Sequence, residues 1–501
     1  MSELFEMTAV GLRDALRAGE VTPGEVVEHY VGRIEMLNPQ LGAFSCVTAD
    51  AARQRAAGLL ADGLPTDGEA VLWGMLVGDK DLWDRAGVAS GYGSRAFSGD
   101  HRWVPQVSTD IVDMLDGQGV ISLGRTTAPE FGFPAYTEPM AGPIARNPWD
   151  RTRTAGGSSG GAAVAVAAGM LPFAPGSDGG GSIRIPAAAC GLVGLKPTRG
   201  LVVADYSLAG LVVNGPIART VADTALLLAG MAGGDHPTAV LASAAPLRVA
   251  VSTFSGWDGF YDMTPAPEAL AALEAGVNAL AAVGHDIVDD GAPIPWEPDP
   301  TYAPAFRTVW LAGAAALPIE SGPRPARRPA RGWPEAGQDF GDRDPRFDLL
   351  EPLTQWLITE GRRVTARQLA EALSALADFE KRTVARLNPY DLVILPALGM
   401  VPPPLGWFDS HDPERNFEQQ CQFTPYTSAF NASGLPAITL PTRWTEPTVT
   451  APAGMPMGVQ LVGRPGSEET LLSVAAQMEA VIDRPAWPMP DVSSRREVNG
   501  R

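Results

Sequence analysis

The N-terminal part of the chain carries apolar residues at helical spacing. Thr22 precedes a proline and is followed three residues later by Glu25, the pattern of an N-cap with a capping box. Apolar positions then recur every three or four residues, at Val26, Val27, Tyr30, Ile34 and Leu37. This helix should end near Pro39, and a second helix should cover residues 49–60. We therefore expect a helical layer over residues 1–65.

From residue 70 onward, short apolar runs alternate with helical segments. The pattern predicts strands at residues 71–77, 119–123 and 171–175, and helices at residues 109–115, 162–168 and 220–228. Later strands are expected at residues 392–396, 437–440 and 458–462, followed by a closing helix at residues 467–480. Such alternation is typical of an α/β fold with a mixed central sheet covered by helices on both faces.

These signals continue without a clear break, so one continuous α/β domain is expected over residues 66–490. Its core spans about residues 70–230, and a more variable, more helical part spans about residues 255–390. Within that part, residues 322–346 are rich in proline, arginine and glycine and are interpreted as a long loop or insertion.

Composition excludes several classes of protein. Apolar residues make up 45% and charged residues 19%, as in globular proteins. The net charge of -19 opposes binding to phosphate backbones, so no nucleic-acid partner is expected. No apolar run is long enough to span a bilayer, and Cys46, Cys190 and Cys421 are too far apart for a disulfide framework or a metal site. We expect a cytoplasmic protein with no membrane partner, metal or cofactor, and a homodimer stays open.

Lysine is rare in this chain, which has three lysines among its 38 basic residues. One of them, Lys80, ends a strand-like run over residues 72–80, where a solvated side chain is out of place. Arginine cannot lose its proton at ordinary pH, whereas a buried lysine can be driven neutral. Lys80 is therefore a candidate general base.

Two glycine–serine clusters follow Lys80. Residues 156–161 read Gly-Gly-Ser-Ser-Gly-Gly and place Ser158 at the entrance to an Ala/Val-rich helix. Residues 179–182 read Gly-Gly-Gly-Ser, so consecutive N–H groups can fold around a developing negative oxygen. A flexible linker would share the first composition, and a tight turn capped by Ser182 would explain the second. Acyl transfer and these structural explanations both stand at this point.

A catalytic serine needs a base, and histidine is the usual one. Of the five histidines, His29 falls on the first capped helix, His101 in a loop, and His236 and His411 in polar turns beside aspartate. Such positions are typical of surface residues. Lysine is then the better candidate.

Several motifs together resemble the amidase signature family of serine hydrolases. They are residues 74–82 around Lys80, the first glycine–serine cluster, residues 178–186 and residues 190–198, with weaker similarity at residues 431–437 and 458–464. The resemblance implies an amidase, a hydrolase acting on carbon–nitrogen bonds other than peptide bonds, in linear amides. It also implies an acyl-enzyme intermediate, no cofactor, and a side activity on esters or urethanes.

The resemblance implies a role for each of the central residues. Ser182 would be the acylated nucleophile, Ser158 the bridging serine and Lys80 the base, a Ser-Ser-Lys triad. The backbone N–H groups of Gly179, Gly180, Gly181 and Ser182 would form the oxyanion hole. A cis peptide bond between Gly157 and Ser158 is also implied.

Other residues near these motifs have supporting interpretations. Asp178 and Arg184 could pair to hold the glycine-rich loop. The aromatic residues before Ser158 are candidates for an acyl pocket, although aromatic residues at this spacing more often serve core packing; they are Phe131, Phe133 and Tyr136.

Asp79 departs from the family pattern, in which apolar residues are more usual beside this lysine. A carboxylate close to the amine would favour the ammonium and oppose base function. Strand alternation predicts that Asp79 and Asp81 point away from the face that carries Lys80. The base hypothesis depends on that orientation.

Two alternative functions remain. Residues 156–160 also fit the Gly-x-Ser-x-Gly elbow of an α/β-hydrolase esterase, which would use Ser158 with a base such as His285 or His236. Polar residues 146–154 precede the elbow where a buried strand is expected, which counts against this hypothesis.

The second alternative comes from within the family, which includes the glutaminase subunit of a tRNA-dependent amidotransferase. The expected insertion favours a stand-alone hydrolase. The substrate is expected to be a small uncharged amide, and aryl amides, cyclic amides and carbamates all stay open.

Overall fold

A computed structural model describes residues 3–65, 70–205, 207–233, 245–288, 299–317 and 346–485. The expected insertion at residues 322–346 lies outside these ranges except for its last residue, and His236 lies outside them too. In the described ranges the chain has the predicted mixed α/β architecture.

The described residues form fourteen α-helices. They are α1 (Ala9–Ala18), α2 (Pro23–Leu41), α3 (Ala49–Asp62), α4 (Asp110–Gly117), α5 (Gly160–Ala167), α6 (Arg184–Ala189), α7 (Val221–Met231), α8 (Pro267–Ala282), α9 (Tyr302–Ala315), α10 (Pro352–Gly361), α11 (Ala366–Arg386), α12 (Pro413–Phe423), α13 (Ser428–Ala432) and α14 (Glu468–Val481). None of these helices combines the length and the apolarity needed to cross a bilayer.

The strands in the same ranges form two sheets. They are β1 (Phe44–Val47), β2 (Leu76–Lys80), β3 (Ile121–Thr126), β4 (Phe173–Asp178), β5 (Val193–Lys196), β6 (Val213–Ala218), β7 (Arg248–Val251), β8 (Asp286–Val288), β9 (Leu392–Pro396), β10 (Ala437–Trp444) and β11 (Pro456–Gly463). The large sheet has the order β4-β6-β5-β10-β11-β9-β7-β8, and the small sheet has the order β1-β3-β2. Parallel and antiparallel pairs both occur in each, so the sheets are mixed.

The N-terminal region is not wholly helical, which corrects the expectation for residues 1–65. Helix α2 continues past Pro39 and ends where Gly42 adopts a φ of 63°. The chain then enters β1, because the Asn38 side chain bonds both backbone groups of Phe44, at 2.7 and 3.0 Å. The left-handed glycine, not the proline, terminates the helix.

The strand predicted at residues 71–77 is displaced toward the C-terminus. Residues 71–74 form turns, and Gly74 has a φ of 75°, so the extended segment begins only at Leu76. Lys80 consequently lies at the carboxyl end of β2, beside Thr126 of the parallel strand β3.

Helix α5 lies between the two sheets and packs against strands of both. All eight of its residues are buried glycine, alanine or valine. These small side chains allow close approach: a methyl group at Gly161 would lie 2.3 Å from the Thr127 nitrogen. The packing fixes the N-terminal end of α5, and with it the preceding Ser158 and Ser159, which contact the end of β2 and the end of β4.

Candidate active site

Lys80 is fully buried and its amine contacts two serines. Its Nζ lies 2.9 Å from Ser158 Oγ, 2.9 Å from Ser177 Oγ and 3.1 Å from the Ser177 carbonyl oxygen. Ser177 belongs to β4, so these contacts join the small sheet to the large one. The structure brings together Lys80 and Ser158 as the resemblance implied, and it adds Ser177, to which the sequence drew no attention.

The two aspartates beside Lys80 are turned away from its amine, as strand alternation predicted. Asp79 forms a two-point ion pair with Arg85, at 2.6 and 3.1 Å. Asp81 accepts hydrogen bonds from the Gly91 N–H at 2.9 Å and from the Ser45 hydroxyl at 3.1 Å. Both carboxylates therefore have partners of their own, and neither contacts the Lys80 amine.

Burial controls the protonation of Lys80. It lowers the pKa of Lys80 to about 7, because an ammonium loses its hydration in the interior, while the charge of Asp178 opposes this shift. A large share of the amine is therefore unprotonated at neutral pH. In that form it can accept the proton of Ser158.

Ser158 is held by close backbone packing. The peptide bond between Gly157 and Ser158 is cis, as the resemblance implied. A methyl group at Gly157 would lie 2.6 Å from the Tyr136 carbonyl oxygen, so only glycine fits there. The next residue ties the two glycine–serine clusters together, because the Ser159 N–H donates to the Ser182 carbonyl at 3.2 Å.

The glycine-rich loop after β4 (residues 179–182, the glycine nest) corrects one of the expected oxyanion donors. The Gly181 N–H donates to Asp178 Oδ1 at 2.7 Å, so it is already committed and is not available to an oxyanion. The candidate donors therefore narrow to the N–H groups of Gly179, Gly180 and Ser182. Within the described part of the chain the Ser182 hydroxyl makes no hydrogen bond, and the residue is 9% exposed.

A buried ion pair holds this loop. Arg184 bonds both carboxylate oxygens of Asp178, at 2.9 and 3.0 Å, and the Ile183 N–H donates to the same carboxylate at 3.1 Å. Burial alone would raise the pKa of Asp178, but Arg184 reverses this and holds it well below its usual range. The supporting role expected for this pair matches its geometry.

Helix α13 and β11 complete the support with residues that the sequence did not single out. Asn431 donates to the Asp178 carboxylate at 2.8 Å and accepts from Arg184 at 2.7 Å. Gln460 accepts from Arg184 at 2.6 Å, and the Thr427 hydroxyl donates to the Gly180 carbonyl at 2.6 Å. The only sequence signal was the weak motif similarity at residues 431–437 and 458–464, which gave no roles.

Of the three aromatic candidates, Phe133 contacts a ring, that of Trp310, which itself lies near Gly179. The Phe133 ring meets Trp310 of α9 edge-on at 5.6 Å, and a methyl group at Gly179 would lie 3.6 Å from the Trp310 ring. Phe131 packs among other aromatic rings, and Tyr136 stacks on a phenylalanine at 4.1 Å. These last two rings have packing partners, which agrees with the structural explanation offered for them.

The other candidate reactive groups are the alternative base His285, the cysteine Cys190 and possible metal ligands. Both ring nitrogens of His285 are engaged, one with the Leu247 N–H at 3.2 Å and the other with Gln477 at 2.9 Å. Burial raises the pKa of Cys190 far above its usual range. In the described ranges no group of three or more histidine, cysteine or acidic side chains could hold a metal ion.

Comparison with known proteins gives a consistent family. A family model described as Amidase matches residues 25–472. The protein named "Putative amidase AmiB2" of Mycobacterium tuberculosis is 34% identical over 492 residues, covering 95% of this chain and 96% of that protein. Fold and matches together define a hydrolase that acts on amides. The chain belongs to the amidase signature family.

Solved structures agree with this assignment. The structure of 6-aminohexanoate cyclic dimer hydrolase superposes with a TM-score of 0.80 at 28% identity, covering 98% of this chain and 100% of that one. A glutamyl-tRNA(Gln) amidotransferase subunit from Thermotoga maritima superposes with a TM-score of 0.69 at 23% identity, covering 99% of both chains. This second likeness is one of fold alone.

Proposed function

We propose that this protein hydrolyses the C–N bond of a small uncharged amide through Ser182, Ser158 and Lys80. The observation that carries the proposal is the fully buried Lys80 amine, 2.9 Å from Ser158 Oγ, with both neighbouring aspartates paired elsewhere. Among the described residues, no carboxylate forms an ion pair with this amine. The amine is suited to accept a proton near neutral pH.

The chemistry proceeds by acyl transfer. Neutral Lys80 takes the proton of Ser158 while Ser158 takes that of Ser182, and the Ser182 oxygen attacks the amide carbon. The relay then runs backwards and protonates the leaving nitrogen, so that the C–N bond breaks and the amine departs. Water, deprotonated through the same relay, cleaves the acyl-enzyme and releases the carboxylic acid and free Ser182.

The glycine nest stabilises the negative oxygen that forms at each stage. The N–H groups of Gly179, Gly180 and Ser182 are the donors proposed for it. Loss of one such donor typically costs about 3 kcal/mol of transition-state stabilisation. Asp178 acts through this loop, because its carboxylate fixes the backbone from Gly181 onward.

The side chains around Gly179 favour a substrate that carries an apolar group. The Trp310 ring lies beside Gly179 and packs edge-on with the Phe133 ring. The Val212 side chain lies 3.2 Å from the position of a methyl group at Gly179. None of these side chains offers a charge. The likeness to 6-aminohexanoate cyclic dimer hydrolase, at 28% identity, supports a cyclic amide as one substrate. Linear amides are proposed beside it, with esters and urethanes as side substrates.

An activity screen of the purified protein tests the proposal. Aryl amides, linear and cyclic aliphatic amides, carbamates and glutamine are offered to the parent and to Ser182→Ala. We expect turnover of at least one apolar amide and its loss in the variant. Activity that survives Ser182→Ala contradicts the proposed nucleophile. Glutamine hydrolysis seen only with added partner proteins would assign the chain to an amidotransferase complex instead.

A companion variant tests the substrate class. Trp310→Ala opens the wall of the glycine nest and should raise KM for aryl and cyclic amides more than for acetamide-sized ones. An equal change for large and small substrates would place the substrate elsewhere.

A further inference from the structure

The Lys80 amine has three hydrogen-bond partners. Its protonation state decides to which of them it donates and from which it accepts. An ammonium has three N–H donors, one for each of Ser158 Oγ, Ser177 Oγ and the Ser177 carbonyl. A neutral amine has only two N–H donors and one lone pair. Since a carbonyl oxygen can only accept, it takes one of the two N–H groups.

The second N–H and the lone pair must then be divided between two hydroxyls. In one arrangement the N–H points to Ser177 Oγ and the lone pair receives the Ser158 proton, which is the geometry of a base. In the other arrangement the N–H points to Ser158 and the lone pair faces Ser177. Only the first arrangement can activate Ser158.

We propose that Ser177 is a positioning residue, whose hydroxyl accepts a Lys80 N–H and so directs the lone pair toward Ser158. The inference rests on the proposed function of Lys80 as a base. Without that hydroxyl, the second N–H would have only Ser158 as an acceptor in the described surroundings of Lys80. The lone pair would then be turned away from the proton it has to take.

The charged groups around Lys80 are fixed by partners of their own. Asp79 on β2 and Asp81 just after it are bonded to other groups. Arg125 on β3 donates to backbone carbonyls and to a serine and pairs with Asp81 at 3.8 Å. Asp178, at the end of β4, is held by a buried arginine. Helix α5 carries no charged residue. Of the two hydroxyls at Lys80, that of Ser177 can be removed by a single substitution while the proposed bridging serine and these charge pairs stay in place.

Ser177→Ala is expected to lower kcat/KM by roughly 10- to 100-fold with KM changed less than about twofold, since it removes part of a general-base contribution. The pKa of Lys80 should fall by about 0.5–1 pH unit, because a hydrogen bond stabilises the ammonium more than the amine. The acidic limb of the kcat/KM profile should move down with it. Ser177→Thr, which keeps the hydroxyl, should restore kcat/KM to within about threefold of the parent enzyme.

The rare lysines provide a readout that does not need turnover. Protein labelled with ¹³C at lysine Cε carries three labelled side chains, and Lys80→Met identifies the Lys80 signal. Its titration in the parent, in Ser177→Ala and in the control Ser252→Ala gives the pKa directly. Ser252 is also a buried serine, but its hydroxyl accepts a hydrogen bond from the Phe254 N–H and does not contact Lys80.

Two results would overturn the proposal. One is Ser177→Ala with kcat/KM within twofold of the parent. The other is an unchanged Lys80 titration in Ser177→Ala together with a failure of Ser177→Thr to restore activity, which marks Ser177 as structural. If the parent hydrolyses no amide, the proposed function fails, whereas the Lys80 titration still decides whether the hydrogen bond sets the state of the amine.

Discussion

Replacing Lys80 with methionine should change the pH dependence of stability as well as abolish activity. In the fold the pKa of Lys80 is about 7, against 10.5 for an ordinary lysine. Between these two values the unfolded chain binds a proton that the folded chain lacks, so the stability of the parent rises with pH across this window. Below pH 7 both states are protonated and the full cost of the buried lysine is present.

The expected magnitude follows from the size of the shift. A difference of about 3.5 pH units corresponds to roughly 5 kcal/mol of unfolding free energy, at about 1.4 kcal/mol per unit. Methionine has a similar unbranched shape and no charge, so the variant lacks this dependence. The stability of Lys80→Met relative to the parent should be greatest below pH 7 and should decline by about 1.4 kcal/mol per pH unit between about pH 7.5 and 9.5.

Urea unfolding of both proteins at half-unit steps from pH 6 to 9.5 measures this difference. The hydrogen bonds lost with the amine add an offset that is the same in sign at every pH, so the slope carries the information. The matched control is Lys381→Met, because this lysine on α11 is 77% exposed and its ammonium stays in water in both states. A flat difference for Lys80→Met would refute the lowered pKa, and with it a lysine base at neutral pH.

Two further variants test the support of the site, and a third tests the raised pKa of Glu351. Gly181→Ala should lower both Tm and kcat, because its methyl would lie 2.3 Å from Thr427 Oγ1 at a φ of +134°; a fully active, equally stable variant would contradict this. Asp178→Asn should destabilise the fold by about 3–5 kcal/mol in chemical denaturation, because it leaves buried Arg184 without its carboxylate. Burial and a nearby glutamate raise the pKa of Glu351 to about 7, so stability falls as pH rises from the unfolded value to 7. Glu351→Gln should therefore raise Tm more at pH 8 than at pH 5, and an equal change at both would argue against a raised pKa.

Local sequence patterns predicted those features that depend on neighbours in the chain. The capping box at Thr22 and Glu25 forms as predicted, because all of its hydrogen bonds lie within one helical turn. The orientation of Asp79, within β2, followed from strand alternation, and Asp81, one residue past the strand, also faces partners other than the amine. The pairing of Lys80 with Ser158 came instead from a family resemblance, since 78 residues separate them.

Features that depend on distant contacts were missed for a physical reason. Strand β6 reads Val-Asn-Gly-Pro-Ile-Ala, and its glycine and proline obscure the strand pattern although every residue is buried. Asn431 lies 253 residues from Asp178, and Gln460 lies 276 residues from Arg184. Nothing in the local pattern around a buried amide side chain indicates which charge it will meet once the chain has folded.

The distribution of the three lysines has a practical consequence. Lys80 and Lys196 are fully buried, whereas Lys381 is exposed on α11. Amine-directed reagents will therefore reach a single lysine side chain on the folded protein. A fluorophore, cross-linker or solid support attached there would occupy one defined point, and the lysine beside the serines would remain unmodified.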